Sequence, residues 1–439
     1  MGLLTRSWQR GILWALEQHR IRNFHQLATT PQRAALLEII EAGFDAIDSQ
    51  KILHAAIQLQ NSLMTIDGVT IDLDSYTNVY ILGFGKGACR AVFELQQTLQ
   101  SWVTDSVVID QSIFPCDPVR AYQGSHPMPS EANIEATAEI LALAEKADEN
   151  DLVFVVVAGG GSSLLCSDTT ELSYGETLFK EFVKAGADIK EMNIVRQHLS
   201  KIKGGGLAKI LYPATTLGLI FSDIVGGHPE EVASGPTYYD SSTIEDARKI
   251  IERYHPSGSY DLVETPKDPH IFEKIRNVVV VSNEKSLQAM SEVARAYGFI
   301  PQILNQPIYD EPTETLSRIF GIAKPGTVVF GGGEVRLRVT SKDGKGGRCS
   351  FLALEALSKL GKSQCFAAVA SDGLDNGDRA GSIIDEHTHE NIKKAGIDVE
   401  EYKKKFDAYT VFEELGSNVN TGITQANVSD WYILLTDHQ

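Results

Sequence analysis

The spacing of apolar residues changes character along the chain. Between residues 34 and 63, Leu36, Leu37, Ile39, Ile40, Phe44, Ile47, Ile52 and Leu53 fall at helical spacing among polar positions, which predicts amphipathic helices packed on something larger. After that, short apolar runs alternate with longer helical stretches. The runs are Val79–Leu82, Val107–Ile109, Leu152–Val157, Leu217–Phe221, Val278–Val281, Val328–Phe330 and Phe366–Ala370. Continuous runs predict strands buried on both faces, and alternation with helices predicts mostly parallel sheets covered on either side. The expected class is α/β. Val335, Leu337 and Val339, alternating with Arg336, Arg338 and Thr340, predict one further, half-exposed strand. Pro, Gly, Ser and charge gather at Tyr254–His270, the best linker candidate. The expected division is therefore 1–240 and 241–439, the second domain opening its sheet with Val278–Val281.

Composition narrows the function. At 439 residues the chain has room for two or three domains. Its 43% hydrophobic and 22% charged residues describe a globular protein. A net charge of −18 argues against a general nucleic-acid binder, which needs a basic surface. Five cysteines without C-x-x-C spacing suggest neither a disulfide framework nor a zinc site. The charged N-terminus and the absence of a long apolar run lead us to expect a cytoplasmic protein without a membrane span. Nearly half of the 37 glycines are bunched in six short clusters, which points to shaped backbone loops.

Three of these clusters directly follow predicted strands, Gly331–Gly333 after Val328–Phe330 being one. Val79–Leu82 runs into Gly83-Phe84-Gly85-Lys86-Gly87-Ala88, a strand, tight turn and helix start whose backbone N–H groups suit an anion. Lys86 adds a mobile cation there. The turn also satisfies the dinucleotide pattern G-x-G-x-x-A, with Asp110 at about the expected distance of ~20 residues. Leu152–Val157 runs into Ala158-Gly159-Gly160-Gly161-Ser162-Ser163, a second phosphate or oxyanion cradle. Further on, Asn193, Arg196 and Ser200 share a helical face with Lys203 one step beyond, a stripe suited to a small acid or to solvent. Ser222-Asp223 ends a strand, where a metal ligand or general base belongs. The loop Ser371–Asp378 is acidic but lacks the bidentate glutamate of a calcium loop; Mg2+ beside phosphates suits Asp372 and Asp375 better, and a ligand-free Asp/Asn/Gly turn is the alternative.

Taken together these blocks resemble the glycerate 2-kinase family with a C-terminal MOFRL domain, some of whose members carry the name hydroxypyruvate reductase. The matching stretches are GFGKGA (83–88), GSHPMPSE (124–131), AGGGSSLL (158–165), EMNIVRQHLSKIKGG (191–205), SDIVGG with VASGPT (222–237), GGGE (331–334), GKGGR (344–348), SDGLDNGDRAG (371–381) and TGITQANVSD (421–430). The resemblance implies two three-layer α/β/α domains with a cleft between them, and ATP- and Mg2+-dependent phosphorylation of D-glycerate to 2-phosphoglycerate. It implies catalytic roles for Lys86, Asp223 and Arg348, and Mg2+ held by Asp372 and Asp375. Gly85, Gly160, Gly161, Ser162, Ser163, Asn193, Arg196, Lys203, Ser222, Gly332 and Glu334 are the expected substrate and nucleotide contacts. The expected assembly is a monomer or homodimer.

Two departures stand out. Cys349-Ser350-Phe351 replaces the family's usual Asn-Gln-Glu, and TGITQANV replaces Thr-Gly-Pro-Thr-Gly-Thr-Asn-Val. They motivate a third reading, a nucleotide-binding relative that has lost catalysis, beside the kinase and an NAD(P)H-dependent hydroxypyruvate reductase.

Overall fold

The computed structural model describes residues 19–254, 260–341 and 343–438, so the N-terminal stretch and part of the expected linker lie outside the described residues. The chain forms two compact units. One comprises Asp45–Gln288 with Gln425–Ser429; the other takes the residues up to Phe44, Ala289–Thr424 and those from Asp430 onward.

The first unit opens with a small antiparallel sheet, β1 (Gln58–Gln60), β2 (Leu63–Ile66) and β3 (Val69–Asp72). Asp67 and Gly68 join β2 to β3 with φ of 48° and 74°, the positive angles of a primed hairpin turn. Six parallel strands follow: β4 (Val79–Phe84), β5 (Val103–Asp110), β6 (Arg120–Gln123), β7 (Leu152–Ala158), β8 (Thr215–Phe221) and β9 (Ile275–Val281). Every residue of β4 and β7 is buried, which is why their sequences read as unbroken apolar runs. Leu82, Phe84, Val155 and Val157 pack with Ile140 and Leu143 of α2 (Glu131–Ala144). On the other face, Gly83 lets Val92 of α1 (Ala88–Leu99) approach β4. Burying each such side chain is worth about 1.5–3 kcal/mol.

The strand order is β6-β5-β4-β7-β8-β9. The chain thus builds outward from β4 in one direction, then returns and builds outward from β7 in the other. At that reversal the loops leaving β4 and β7 diverge, and ligands of doubly wound sheets bind in the resulting crevice.

The second unit differs from expectation. Its strands are β10 (Ile300–Ile303), β11 (Thr327–Gly333), β12 (Gln364–Ala370), β13 (Gly381–Asp385), β14 (Asn418–Val419) and β15 (Asp430–Thr436), in the order β10-β11-β15-β12-β13-β14. The β10/β11 pair is parallel and the other pairs are antiparallel. Unbroken apolar runs report burial on both faces, not strand direction, so this sheet is mixed where parallel strands were expected. Successive residues of β15 serve opposite faces: Tyr432 and Leu434 join Leu352 and Phe412, while Trp431 meets Phe44 edge-on at 5.0 Å. Phe44 belongs to the helix Pro31–Asp45, which also carries Arg33 into a buried bidentate contact with Asp385 (2.8 and 3.1 Å).

Two local expectations are corrected as well. Val278–Val281 pairs with β8, completing the first sheet instead of opening the second, so the units divide near Gln288 and interleave at both ends of the chain. Residues 335–340 form no strand; the backbone there bonds the 308–310 segment through Glu334 N–H to Ile308 and Arg336 N–H to Asp310.

Candidate active site

The turn after β4 lies at the order reversal. Gly85 has φ of 119°, and a Cβ there would sit 2.4 Å from the Ala158 carbonyl oxygen. Only glycine allows the β4 and β7 turns to approach this closely, and the Lys86 amide seals the approach by donating to the Gly159 carbonyl at 2.8 Å. The half-buried Lys86 side chain, with Gly87, Gly159, Phe221, Val281 and Asn427, lines a small crevice. All but Asn427 follow or end β4, β7, β8 and β9, so the crevice occupies the carboxyl ends of four strands.

Asp223, just past β8, is brought to the same place. Its carboxylate would clash with any Cβ at Gly159, passing within 2.1 Å of that position. A Cβ at Gly160 would meet His126 Nε2 at 3.0 Å and Lys86 Cε at 3.1 Å. Lys86, Gly159, Gly160, Asp223 and His126 are therefore neighbours. Burial, with help from the Lys86 charge, pushes His126 down to about 4, so the ring is neutral near pH 7 and offers an acceptor or a single N–H.

Other expected contacts are engaged by partners within the fold. Ser222 turns the chain through its own hydroxyl, which bonds Ile224 N–H and C=O at 3.3 and 3.2 Å. Ser162 meets Ser234 at 3.0 Å, and Ser234 donates to the buried Asn193 at 3.2 Å. Ser163 donates to the Pro127 carbonyl at 2.7 Å. Gly161 opens α3 (Gly161–Leu164) and is buried against Ala233. These groups hold the β7 loop in shape. The stripe of Asn193, Arg196, Ser200 and Lys203 is broken too: α4 spans Thr169–Ala185, and α5 ends at Leu199 (Ile189–Leu199) with Ser200 as its cap. Lys203 lies beyond, buried and ion-paired with the buried Glu171, which withdraws it as a ligand for an external acid. Arg196 remains in a pocket beside Ser162 and Ser163, where burial lowers its pKa.

In the second unit, the C-terminal ends of β11 and β12 meet the start of β15 in one row, since Gly333 and Ala370 both pair with Asp430. Asp430 is buried and grips the Arg348 guanidinium, which also pairs with Glu334 at 3.0 Å. Tyr432 donates to Asp430 at 3.0 Å. Burial lifts the Asp430 carboxyl to about 6 although Arg348 pulls it down. Burial alone would lower the Arg348 pKa, but the Asp430 bond and charge outweigh it and raise it. Gly332 is a buried strand residue whose carbonyl receives Ile308 N–H at 2.8 Å.

Asp375 is not placed as a metal ligand. Its Oδ1 accepts from Cys349 N–H at 2.9 Å, and its Oδ2 accepts from Ser350 N–H at 2.7 Å and Gly347 N–H at 3.3 Å. It caps the helix α6 (Arg348–Ala356), satisfying amides that a helix start leaves unpaired. Asp372 accepts from Leu374 N–H at 2.9 Å. Among the described residues, no group of three or more His, Cys, Asp or Glu side chains is gathered to hold a metal. None of the described helices is long and apolar enough to cross a membrane.

The sequence matches the model of a domain of unknown function, DUF4147, over residues 35–264 and that of the MOFRL family over residues 327–430. A glycerate 2-kinase of Pyrococcus horikoshii is 30% identical over 429 residues, covering 91% of this chain and 96% of its own. The chain belongs to the glycerate 2-kinase family. A D-glycerate 2-kinase of Thermotoga maritima is 33% identical over 379 residues, 81% of this chain and 90% of that one. A crystal structure of a P. horikoshii protein superposes with a TM-score of 0.79 at 29% identity, covering 93% of this chain and 99% of that one. The crystal structure of a T. maritima glycerate kinase superposes at 0.78 and 28%, covering 92% and 98%.

Of the two departures, the first lies inside the fold, whereas the second leaves Ile423 and Gln425 exposed. Cys349 and Ser350 are buried, and Phe351 stacks on Phe406 at 5.1 Å. Cys349 and Phe351 join the apolar core beneath α6, next in sequence to Arg348. Sequence reasoning missed His126, although GSHPMPSE was among the matching blocks, and Asp430, whose acidic position before an apolar run was the available signal.

Proposed function

We propose that this protein transfers the γ-phosphoryl group of ATP to the 2-hydroxyl of D-glycerate. The carrying observation is the clustering of Lys86, Asp223 and His126 around Gly159 and Gly160 at the strand-order reversal, in a member of a kinase family. Phosphoryl transfer asks for positioning and charge neutralisation more than covalent chemistry. Lys86 supplies the cation against phosphate oxygens, and Asp223 accepts the proton of the attacking hydroxyl. Arg348, held in one orientation by Asp430 and Glu334, supplies a second cation for phosphate or carboxylate. Bound Mg2+ supplies charge neutralisation on the phosphates. It is expected to be held chiefly by phosphate oxygens with one or two carboxylates; of the two expected carboxylates, Asp372 stays a candidate, while both oxygens of Asp375 are taken up by the α6 amides.

The dehydrogenase reading fares worse. Asp110, which that reading needs at a ribose, is buried and accepts from Cys89 N–H at 3.0 Å, at the first turn of α1. The deciding assay couples ADP release to a spectroscopic signal on adding D-glycerate, ATP and Mg2+. We expect turnover in the wild type and its loss in Lys86→Ala and Arg348→Ala. A folded wild type that releases no ADP, or that oxidises NADH with hydroxypyruvate, overturns the proposal.

A further inference from the structure

We infer that the pocket between Met128, α4 and α5 of the first unit receives the base of the nucleotide; this rests on the kinase reading. The pocket opens to solvent and is bounded by the 127–129 segment, the start of α3, α4 and α5. One wall is apolar, formed by Met128, Phe182, Met192, Val195 and Leu199 with Arg196 beside them, and the ion-paired Glu171 and Lys203 close the other side. D-glycerate, a three-carbon acid with polar groups on every carbon, leaves the apolar wall without a partner. A purine supplies one. Its flat, weakly hydrated faces suit thioethers and an aromatic ring, and a guanidinium stacks well on such a plane.

The position of the pocket supports the same occupant. Ser162 and Ser163 form part of its lining, and they directly follow Gly160, the residue beside which Lys86 and His126 meet. Pro127, next to His126, lines it also. One end of the pocket therefore lies at the residues that follow the glycine loop, Ser162 and Ser163, and the other lies among apolar side chains. That is the polarity of a nucleotide, with phosphates outward at the loop and the base inward.

The test compares ligands with and without a base. Leu199→Trp and Met128→Trp fill the pocket from half-buried wall positions, and ADP and tripolyphosphate binding is followed by calorimetry. We expect each variant to lose at least about tenfold in ADP affinity, with tripolyphosphate affinity within about twofold of wild type. The KM for ATP should rise while that for D-glycerate holds. Unchanged ADP affinity in variants of an active enzyme overturns the pocket assignment alone, as does a rise in the D-glycerate KM instead. A wild type that neither binds ADP nor turns over overturns the kinase reading with it. Photolabelling of the wild type with 8-azido-ADP needs no substitution. Label on the peptides bearing Met128, Phe182 or Met192–Leu199 supports the inference, and label confined elsewhere refutes it.

Discussion

Asp375 separates a structural carboxylate from a catalytic one by measurement. Both of its oxygens receive amides at the start of α6, two of them at 2.9 and 2.7 Å, and the residue is 4% exposed. A hydrogen bond to a charged acceptor contributes about 1.5–3 kcal/mol, and burial leaves no water to replace it. Asp375→Ala, losing two good bonds and one long one, should cost about 3–4 kcal/mol, and Asp375→Asn, which keeps one acceptor oxygen, about half of that. The first figure corresponds to at least about a hundredfold in an opening equilibrium. Hydrogen exchange of the 347–356 peptide reads it directly: exchange should accelerate in the order wild type, Asn, Ala. Because Arg348 is the first residue of α6, turnover should fall too. The Mg2+ concentration for half-activation should nevertheless stay within about twofold of wild type in Asp375→Asn. Unchanged exchange together with a much raised Mg2+ requirement would refute the capping role and restore the metal role expected from sequence.

Four further outcomes are expected. Lys86→Met should lower kcat/KM by about a thousandfold, the scale of losing one preorganised charge partner, with a melting temperature near that of wild type. Gly85→Ala drives a methyl against the Ala158 carbonyl and should destabilise the first unit by about 2–4 kcal/mol, seen in urea unfolding. Arg33→Met strands the buried Asp385 and should cost about 3–5 kcal/mol, seen as a lowered melting temperature. Burial lifts the Asp110 carboxyl from 3.8 to about 6. A raised acid favours the fold while neutral, so its contribution is complete below its ordinary pKa and is lost as pH climbs through about 6. Asp110→Asn, which does not ionise, should therefore gain on wild type across that window by up to about 3 kcal/mol; a parallel pH dependence of the two melting curves refutes this.

How much was legible follows from what each signal measures. The seven apolar runs all became strands because unbroken hydrophobicity reports burial on both faces, as in β4 and β7. The same signal is blind to direction, so the antiparallel pairing of β12 and β15 was invisible. It is blind to partnership as well, so β9 was assigned to the wrong sheet. The Asp67-Gly68 hairpin carried a plain turn signature that was passed over in favour of the helical spacing before it. In the candidate site, glycine loops after strands gave Lys86 and its neighbours, since a turn that admits no side chain leaves a trace in composition. Lys203 and Asp375 were misjudged because a charged side chain looks the same in sequence whether it faces a ligand or a buried partner. Only the structure shows Glu171 and the α6 amides taking them up.

The most direct test of the kinase reading is phosphorus NMR of the purified protein with ATP, D-glycerate and Mg2+. Disappearance of the γ-phosphate signal matched by 2-phosphoglycerate, and absent in Lys86→Met, is the expected result. Persistent ATP beside a folded protein, or a 3-phosphoglycerate product, would contradict it.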